Sequence, residues 1–265
     1  MISSGSASAP SDLSHELFCR CAGATAPTGR GLEWIERVSL AAKLRYRFIG
    51  RVAPTYAKHS AELAYWRERR SEEGILENYW YQGGFTTAFG IEESFYLGKR
   101  MLDIGCGPRG SLEWATMASE RVGIDPLAKK YERLNGGVHG MTYVATRSEN
   151  IPFSEGHFDV VSSFNSLDHV DNLDATIREI TRVTAQGGTF LLMTSVNHSP
   201  TRTEPQAFSW DVLQRFTGFE VIEERRLESG SGIYSDALEN VTYDETIPPH
   251  SGTLVARLLR RPGRR

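Results

Sequence analysis

The stretch MLDIGCGPRG at positions 101–110 decides the fold of this chain. Its first four residues, Met101–Ile104, predict a buried β-strand. Gly105, Gly107 and Gly110 follow the strand directly, and glycine is the residue that a tight turn requires. Such a turn brings the backbone close to a bound ligand, so this stretch predicts a ligand site at the end of a strand.

Strands and helices alternate outward from this turn. The sequence predicts β-strands at 101–104, 121–125, 142–145, 158–164, 189–196, 220–225 and 253–259, and helices at 60–70, 111–119, 128–134, 173–183 and 210–216. This alternation predicts an α/β fold: a Rossmann-like, seven-stranded, mostly parallel sheet with helices on both faces, plus an N-terminal helical appendage. The carboxyl ends of parallel strands meet at one edge, where we expect the ligand to bind.

The chain divides into two predicted parts. Residues 1–94 predict a disordered lead, over about the first twelve residues, and then a helical lid or appendage. Apolar residues at helical spacing over 32–49 indicate one of its helices. Residues 95–265 predict the ligand-binding domain.

Composition excludes several classes of protein. The net charge is −3 with 24% charged residues, which gives no reason to expect nucleic-acid binding. The sequence shows neither a signal peptide nor an apolar stretch of membrane-spanning length, so we expect no membrane partner. The 3 cysteines suggest no disulfide framework, which fits a cytoplasmic protein. The isolated pair Cys19 and Cys21 lacks further ligands at workable spacing, so the sequence predicts no metal site.

Two carboxylates indicate the type of ligand. Asp125 ends the next predicted strand, twenty residues after Gly105, where a carboxylate accepts hydrogen bonds from ribose hydroxyls. The glycines also spell the dinucleotide fingerprint GxGxxG, so both NAD and S-adenosylmethionine are candidates. Asp103 favours the second, because a buried carboxylate suits a cationic ligand and repels a pyrophosphate.

Four blocks of sequence extend this interpretation: SENIPF at 148–153, FDVV at 158–161, LDHV at 167–170 and QGGT at 186–189. Together with the glycine turn, they resemble the class I S-adenosylmethionine-dependent methyltransferases, in particular the small-molecule branch with a "DAExLPF … FDVV" pattern. The resemblance covers about residues 99–195. It implies S-adenosylmethionine as cofactor and methyl transfer to O, N or C of a small-molecule acceptor.

The resemblance also implies roles for matching residues. Asp103 would anchor the glycine turn and help to place the cofactor's ammonium group, and Asp125 would hold the ribose. One departure is Arg147, which cannot accept a hydrogen bond from adenine where the family often has Asp. The residues expected to bind the cofactor are Asp103, Gly105, Cys106, Gly107, Asp125, Pro126, Ser148, Glu149 and Asn165.

The acceptor side is less determined by sequence. His169 and His198 follow the fourth and fifth strands and are the candidate catalytic bases, although each also suits a structural role. The aromatic side chains before the core either pack the appendage onto the sheet or line the acceptor site; they are Trp66, Tyr79, Trp80, Tyr81 and Phe85. The long connection at 228–251 predicts a lid or a subunit contact in a homo-oligomer.

Three hypotheses about function follow. The first is a methyltransferase that acts on a small, specialised metabolite. The second is an NAD-dependent oxidoreductase that uses the literal glycine fingerprint. The third is a non-catalytic module that binds S-adenosylmethionine with its acceptor side closed by packed residues.

Overall fold

A computed structural model describes residues 54–201 and 203–263. Three predictions lie outside these residues: the disordered lead, the helix over 32–49, and the reading of Cys19 and Cys21.

One sheet of seven strands organises the described part of the chain. The strands are β1 Arg100–Ile104, β2 Glu120–Asp125, β3 Thr142–Ala145, β4 Phe158–Phe164, β5 Thr184–Val196, β6 Phe219–Glu228 and β7 Gly252–Arg260. Their order across the sheet is β3-β2-β1-β4-β5-β7-β6. Strands β1 to β5 pair in parallel, whereas β7 runs antiparallel between β5 and β6. The predicted Rossmann-like, mostly parallel sheet is therefore confirmed.

Helices cover both faces of this sheet. The α-helices are α1 Pro54–Glu73, α2 Trp80–Phe85, α3 Ala128–Leu134, α4 Leu173–Val183 and α5 Ile233–Glu239, and 3₁₀ helices span Thr87–Phe89, Glu93–Tyr96, Leu167–His169 and Trp210–Arg215. Helix α1 is longer than the predicted 60–70. Within the described residues it spans Pro54–Glu73. No helix among the residues described here is long and apolar enough to cross a membrane.

Two hydrophobic clusters lie on opposite faces of the sheet. On one face, Ile177 and Ile180 of α4 pack with Val161 and Phe190 of the sheet. On the other face, the segment before β1 contributes much of the cluster, including Phe85, Phe89 and Tyr96. These three side chains are at most 1% exposed, so the segment from α2 to β1 is part of the core. The division of the chain at residue 94 stays a prediction.

The predicted helix at 111–119 is wrong. The segment from Gly107 to Ala118 forms turns, and Gly98 and Ser119 bond to Met117 and Lys99. A helix would need the carbonyl groups of Leu112 and Glu113 for its own hydrogen bonds. Both carbonyl groups accept instead from the guanidinium of Arg121 on β2, so the segment closes as turns.

Candidate functional site

A cavity of about 290 Å³ lies at the carboxyl ends of β1 to β4. The loops after these four strands form its floor, and α1, α2 and α5 form its cover. Every residue that the sequence suggested for cofactor binding lines this cavity: Asp103, Gly105, Cys106, Gly107, Asp125, Pro126, Ser148, Glu149 and Asn165. Their positions agree with the prediction, and their individual roles stay predictions.

The glycine turn packs tightly onto the end of β4. Gly105 and Gly107 have φ of 72° and 55°, in the left-handed region that favours glycine. A Cβ atom on Gly105 would lie 2.3 Å from Cβ of Ser166, so no side chain fits there. The Ser166 hydroxyl also donates to the carbonyl of Ile104, over 2.7 Å. The turn is therefore fixed from below and presents its backbone to the cavity.

Asp103 anchors this turn from inside the sheet. Its carboxylate accepts hydrogen bonds from Ser111 after the turn and from Ser162 on β4, the latter over 2.7 Å. Asp103 is 4% exposed, and burial raises its pKa to about 6, although both serine hydroxyls favour the charged form. The carboxylate thus holds the loop and borders the cavity at the same time.

Asp125 and Glu62 together give the cavity negative charge. Asp125 ends β2 and accepts a hydrogen bond from the backbone N–H of Leu127, over 2.7 Å. Glu62 reaches the cavity from α1 and accepts a hydrogen bond from the Tyr131 hydroxyl. Burial raises the pKa of Asp125 well above its ordinary value, and the negative charge of Glu62 raises it further. Two neighbouring carboxylates of this kind suit the hydroxyl groups of a ribose.

The loop after β3 presents backbone rather than side chains. The Ser148 hydroxyl is bonded to that of Thr176 on α4, and the Glu149 carboxylate accepts from the N–H groups of Asp171 and Asn172. Arg147 is paired with Asp171. These polar side chains are already engaged within the protein. This loop therefore offers its backbone groups to a ligand, and the resemblance implies that the ligand's adenine edge would meet Ser148 and Glu149 in this way.

Helix α1 and the aromatic segment after it cover the cavity. Trp66, Tyr79, Trp80 and Tyr81 line the cavity, whereas Phe85 packs against Phe164 beneath it. The packing interpretation therefore holds for Phe85, and the acceptor-site interpretation stays a prediction for the four residues that line the cavity. Tyr81 approaches Tyr234 of α5 edge to face, with 5.4 Å between ring centres, which joins the two covering elements. The connection 228–251 contains α5 and forms part of the cover, as the lid reading predicts.

Arg109 connects this cover to the glycine turn. Its guanidinium donates two hydrogen bonds of 2.7 Å to Glu73 of α1 and one of 2.9 Å to the carbonyl of Glu77. It also lies 5.3 Å from the ring centre of Trp66 and 5.0 Å from that of Trp80. Because Arg109 is 6% exposed, this set of contacts fixes α1 to the turn through a nearly buried ion pair.

The two predicted catalytic histidines occupy different positions. His169 lines the cavity, and its backbone carbonyl accepts a hydrogen bond from Lys58 of α1. His198 does not line the cavity; its Nε2 faces the buried carboxylate of Asp168 at 3.9 Å. His169 therefore lies at the candidate site, whereas His198 lies outside the lining of the cavity.

Several lining residues escaped the sequence reasoning. On α1 these are Lys58, His59, Glu62, Tyr65 and Arg69, and elsewhere Arg109, Tyr234 and Leu238. Those on α1 recur at three- and four-residue steps, which marks one helix face. That spacing would have identified the face, but the sequence does not say which surface the face covers.

Comparisons with known proteins agree with the site. Residues 102–192 match the family described as "Methyltransferase domain". The chain is 26% identical over 121 residues to the chloroplastic tocopherol O-methyltransferase of Arabidopsis thaliana, a match covering 43% of this chain and 35% of that protein. It is 29% identical over 140 residues to the demethylmenaquinone methyltransferase of Thermobifida fusca, covering 51% and 57% respectively.

A solved structure shows the same fold. The N-methyltransferase NodS of Bradyrhizobium japonicum superposes with a TM-score of 0.52 at 15% identity, over 71% of this chain and 100% of that one. The fold and the site define a Rossmann-like protein with a cavity over the glycine turn. The match of residues 102–192 to a methyltransferase domain confirms the resemblance to the class I S-adenosylmethionine-dependent methyltransferases found in the sequence. The two sequence matches cover 35% and 57% of the curated relatives' own lengths, which is less than two thirds of each.

Proposed function

We propose that the protein binds S-adenosylmethionine in this cavity and transfers its methyl group to a small-molecule acceptor. The observation that carries the proposal is the convergence of four loops on one cavity, each at the carboxyl end of a parallel strand: the glycine turn, Asp125, the 148–149 backbone and Asn165. These are the positions at which the family pattern places its cofactor contacts.

The residues present fit this cofactor. Two left-handed glycines leave the backbone of the turn open to a ligand, and buried carboxylates stand on either side of it. Asp103 and the turn would hold the amino-acid part, and Asp125 with Glu62 would hold the ribose hydroxyls. S-adenosylmethionine supplies an electrophilic methyl group on a sulfonium, and the protein's share of the reaction is to position the acceptor in line with it and to exclude water.

The cover supplies the acceptor side. Trp66, Trp80, Tyr81 and Tyr234 give this side aromatic walls, which suit a flat or partly apolar acceptor. Burial raises the pKa of Tyr81 and of Tyr234 above their ordinary values, so neither phenol serves as a base near neutral pH. If the acceptor must lose a proton, His169 is the cavity histidine beyond β4 that stands in position to take it.

The turn after β1 disfavours an NAD-dependent oxidoreductase. In dinucleotide-binding sheets, the pyrophosphate lies at the N-terminus of the helix that follows the glycine turn. Here the segment after Gly110 forms turns, so no helix N-terminus faces the site from there. Asp103, Asp125 and Glu62 would also repel a pyrophosphate, whereas they attract a cation.

The cavity also argues against a purely non-catalytic module. Its lining continues from Thr146 and Ser148 to Tyr234 and Leu238, so packed residues do not close the acceptor side. The two curated relatives act, by their names, on a tocopherol and on demethylmenaquinone. We therefore infer an acceptor of comparable class, a small molecule with an aromatic or quinone-like ring. A cytoplasmic location and self-association likewise remain proposals.

Calorimetric titration tests this proposal. The purified chain should bind S-adenosylhomocysteine with one-to-one stoichiometry and should not bind NADH under the same conditions. Incubation with methyl-labelled S-adenosylmethionine and a panel of phenols, quinols and amines should then yield labelled product with at least one member. Binding of NADH without S-adenosylhomocysteine would overturn the cofactor. Donor binding without any labelled product across a broad panel would favour the non-catalytic module.

A further inference from the structure

A cluster of potential metal ligands lies behind the cavity wall formed by His169. Nε2 of His169 lies 3.9 Å from Oδ1 of Asp168 and 3.9 Å from Oε1 of Glu204. One ligand atom from each of the three residues lies within 4.8 Å of the others. Asp168 and His169 belong to the 3₁₀ helix after β4, whereas Glu204 lies in the loop after β5, so two separate segments meet here.

Two buried polar atoms of this cluster lack a hydrogen-bond partner in the described part of the chain. Asp168 is 2% exposed, yet its Oδ1 makes no hydrogen bond in the described structure, and neither does the buried Nε2 of His169. A buried carboxylate oxygen without a partner carries an uncompensated desolvation cost, which a bound cation would offset. The 3.9 Å separations are too long for hydrogen bonds. The three side chains therefore lie close together without forming hydrogen bonds to one another.

These separations match ligands that share one ion. Zinc binds histidine nitrogen and carboxylate oxygen at about 2.0–2.2 Å, so two ligand atoms of one ion lie roughly 3–4 Å apart. The two separations from His169, each 3.9 Å, fall at the upper end of that range. The carboxylates of Asp168 and Glu204 lie within 4.8 Å of each other and would have to draw closer to share one ion. Imidazole with carboxylates suits zinc, iron or cobalt better than magnesium or calcium, which prefer oxygen ligands alone.

The surrounding backbone holds the two segments in place. Gln206 donates its backbone N–H to the carbonyl of Asp168 and its side-chain amide to that of Val170, both over 3.1 Å. Thr201 and Glu204 are joined by backbone and side-chain hydrogen bonds. On the other side of Asp168, Nε2 of His198 lies 3.9 Å from Oδ2 and is also buried without a partner. A hydrogen bond from His198 to this oxygen would orient the carboxylate toward the ion.

We propose that Asp168, His169 and Glu204 bind a divalent transition-metal ion, with His198 positioning Asp168. The ion joins the loop after β5 to the segment after β4 and fixes His169 at the edge of the cavity. The sequence reasoning missed this site because its ligands are 35 residues apart and only two of them are adjacent. Binding of the ion does not require the proposed methyl transfer, but a His169 bound to it through Nε2 could not also act as the base for the acceptor.

Zinc and cobalt binding to the full chain tests the site. Protein freed of metal with a chelator should bind one Zn²⁺ in calorimetry and develop the visible bands of a nitrogen- and oxygen-ligated Co²⁺ ion. Glu204→Gln and His169→Ala should each weaken binding by at least about tenfold, and His198→Ala should weaken it less. Because Glu204 is a partly exposed loop residue, Glu204→Gln keeps the test valid if a change at buried Asp168 prevents folding.

Two controls separate this site from other ligands. His157→Ala removes a histidine that pairs with Glu120 at a distant edge, and it should leave binding unchanged. The double variant Cys19→Ser/Cys21→Ser should also bind as the parent does. An intense thiolate-to-cobalt charge-transfer band that disappears in the double variant would instead place the ion on the cysteines and overturn the proposal. Equal Zn²⁺ affinity in the parent, Glu204→Gln and His169→Ala would overturn it as well.

Discussion

The floor and the cover of the cavity are built in different ways. The floor consists of loops at the ends of adjacent parallel strands, and its charged groups, such as Asp103 and Asp125, are buried and bonded to nearby backbone or hydroxyl groups. The cover consists of α1, α2 and α5, which are separate elements that contact the floor mainly through side chains. The floor is thus fixed by sheet topology, whereas the position of the cover depends on a few side-chain contacts. We expect changes in the floor to act on the donor and changes in the cover to act on lid position and the acceptor.

The largest expected effect belongs to Asp125 in the floor. Asp125→Ala should weaken binding of S-adenosylhomocysteine by about 100-fold or more, because two hydrogen bonds from the ribose to a carboxylate are lost. The melting temperature should fall little, since burial disfavours the charge of this carboxylate. Calorimetry and thermal unfolding measure the two quantities. Unchanged affinity would mean that the ribose lies elsewhere and that the division between floor and cover is misplaced.

Asp103 should give a pH-dependent change in stability. Its pKa is raised from an ordinary value of 3.8 to about 6 in the folded chain, so the folded state binds the proton more tightly than the unfolded state does. The corresponding stability is present below about pH 4 and is lost as the pH rises through about 6. The free energy of unfolding of the wild type, relative to that of Asp103→Asn, should therefore decrease by about 2 kcal/mol from pH 4 to pH 7.

Urea unfolding of both proteins across this range measures the difference. The comparison removes the contributions of carboxyl groups far from Asp103; Asp125 is an exception, because the charge of Asp103 contributes to its raised pKa. If the difference in the free energy of unfolding does not change with pH, burial does not raise the pKa of Asp103. That result would weaken the case for Asp103 as the anchor of the glycine turn.

Sequence alone predicts the floor well and the cover poorly. The glycine turn, Asp125 and the 148–149 loop each follow a strand that its apolar run identifies, and parallel strands bring their ends together without further information. Glu62, Arg109 and Tyr234 meet only because three elements far apart in the chain pack together. The 111–119 helix failed for a related reason: local propensity favoured a helix, but Arg121 of β2 takes carbonyl groups in this segment that a helix would use.

Arg109 tests how the two regions are joined. Arg109→Lys keeps the charge but loses the paired hydrogen bonds to Glu73 and the stacking against two tryptophan rings. We expect a loss of about 1–2 kcal/mol in the free energy of unfolding and faster hydrogen exchange in α1, with exchange in β4 and β5 unchanged.

Arg100→Lys is the matched control, because Arg100 pairs with Asp159 at the opposite ends of the strands and is more exposed. That change should cost less than about 1 kcal/mol and leave α1 unaffected. Equal effects of the two variants would show that Arg109 does not hold the cover.

The smallest expected effect crosses from the cover to the floor. Glu62 on α1 raises the pKa of Asp125 through its negative charge, after the larger effect of burial. A ribose hydroxyl donates best to the ionised carboxylate, so affinity for S-adenosylhomocysteine should rise with pH through the raised pKa of Asp125. Glu62→Gln removes the neighbouring charge, lowers that pKa and should move the rise in affinity to lower pH. Calorimetric titrations at several pH values, with Glu132→Gln as a control on an exposed residue of α3, measure the shift. If Glu62→Gln does not move the pH profile, the charge of Glu62 has no part in binding the donor. The cover would then act on the cofactor side of the cavity through packing contacts alone.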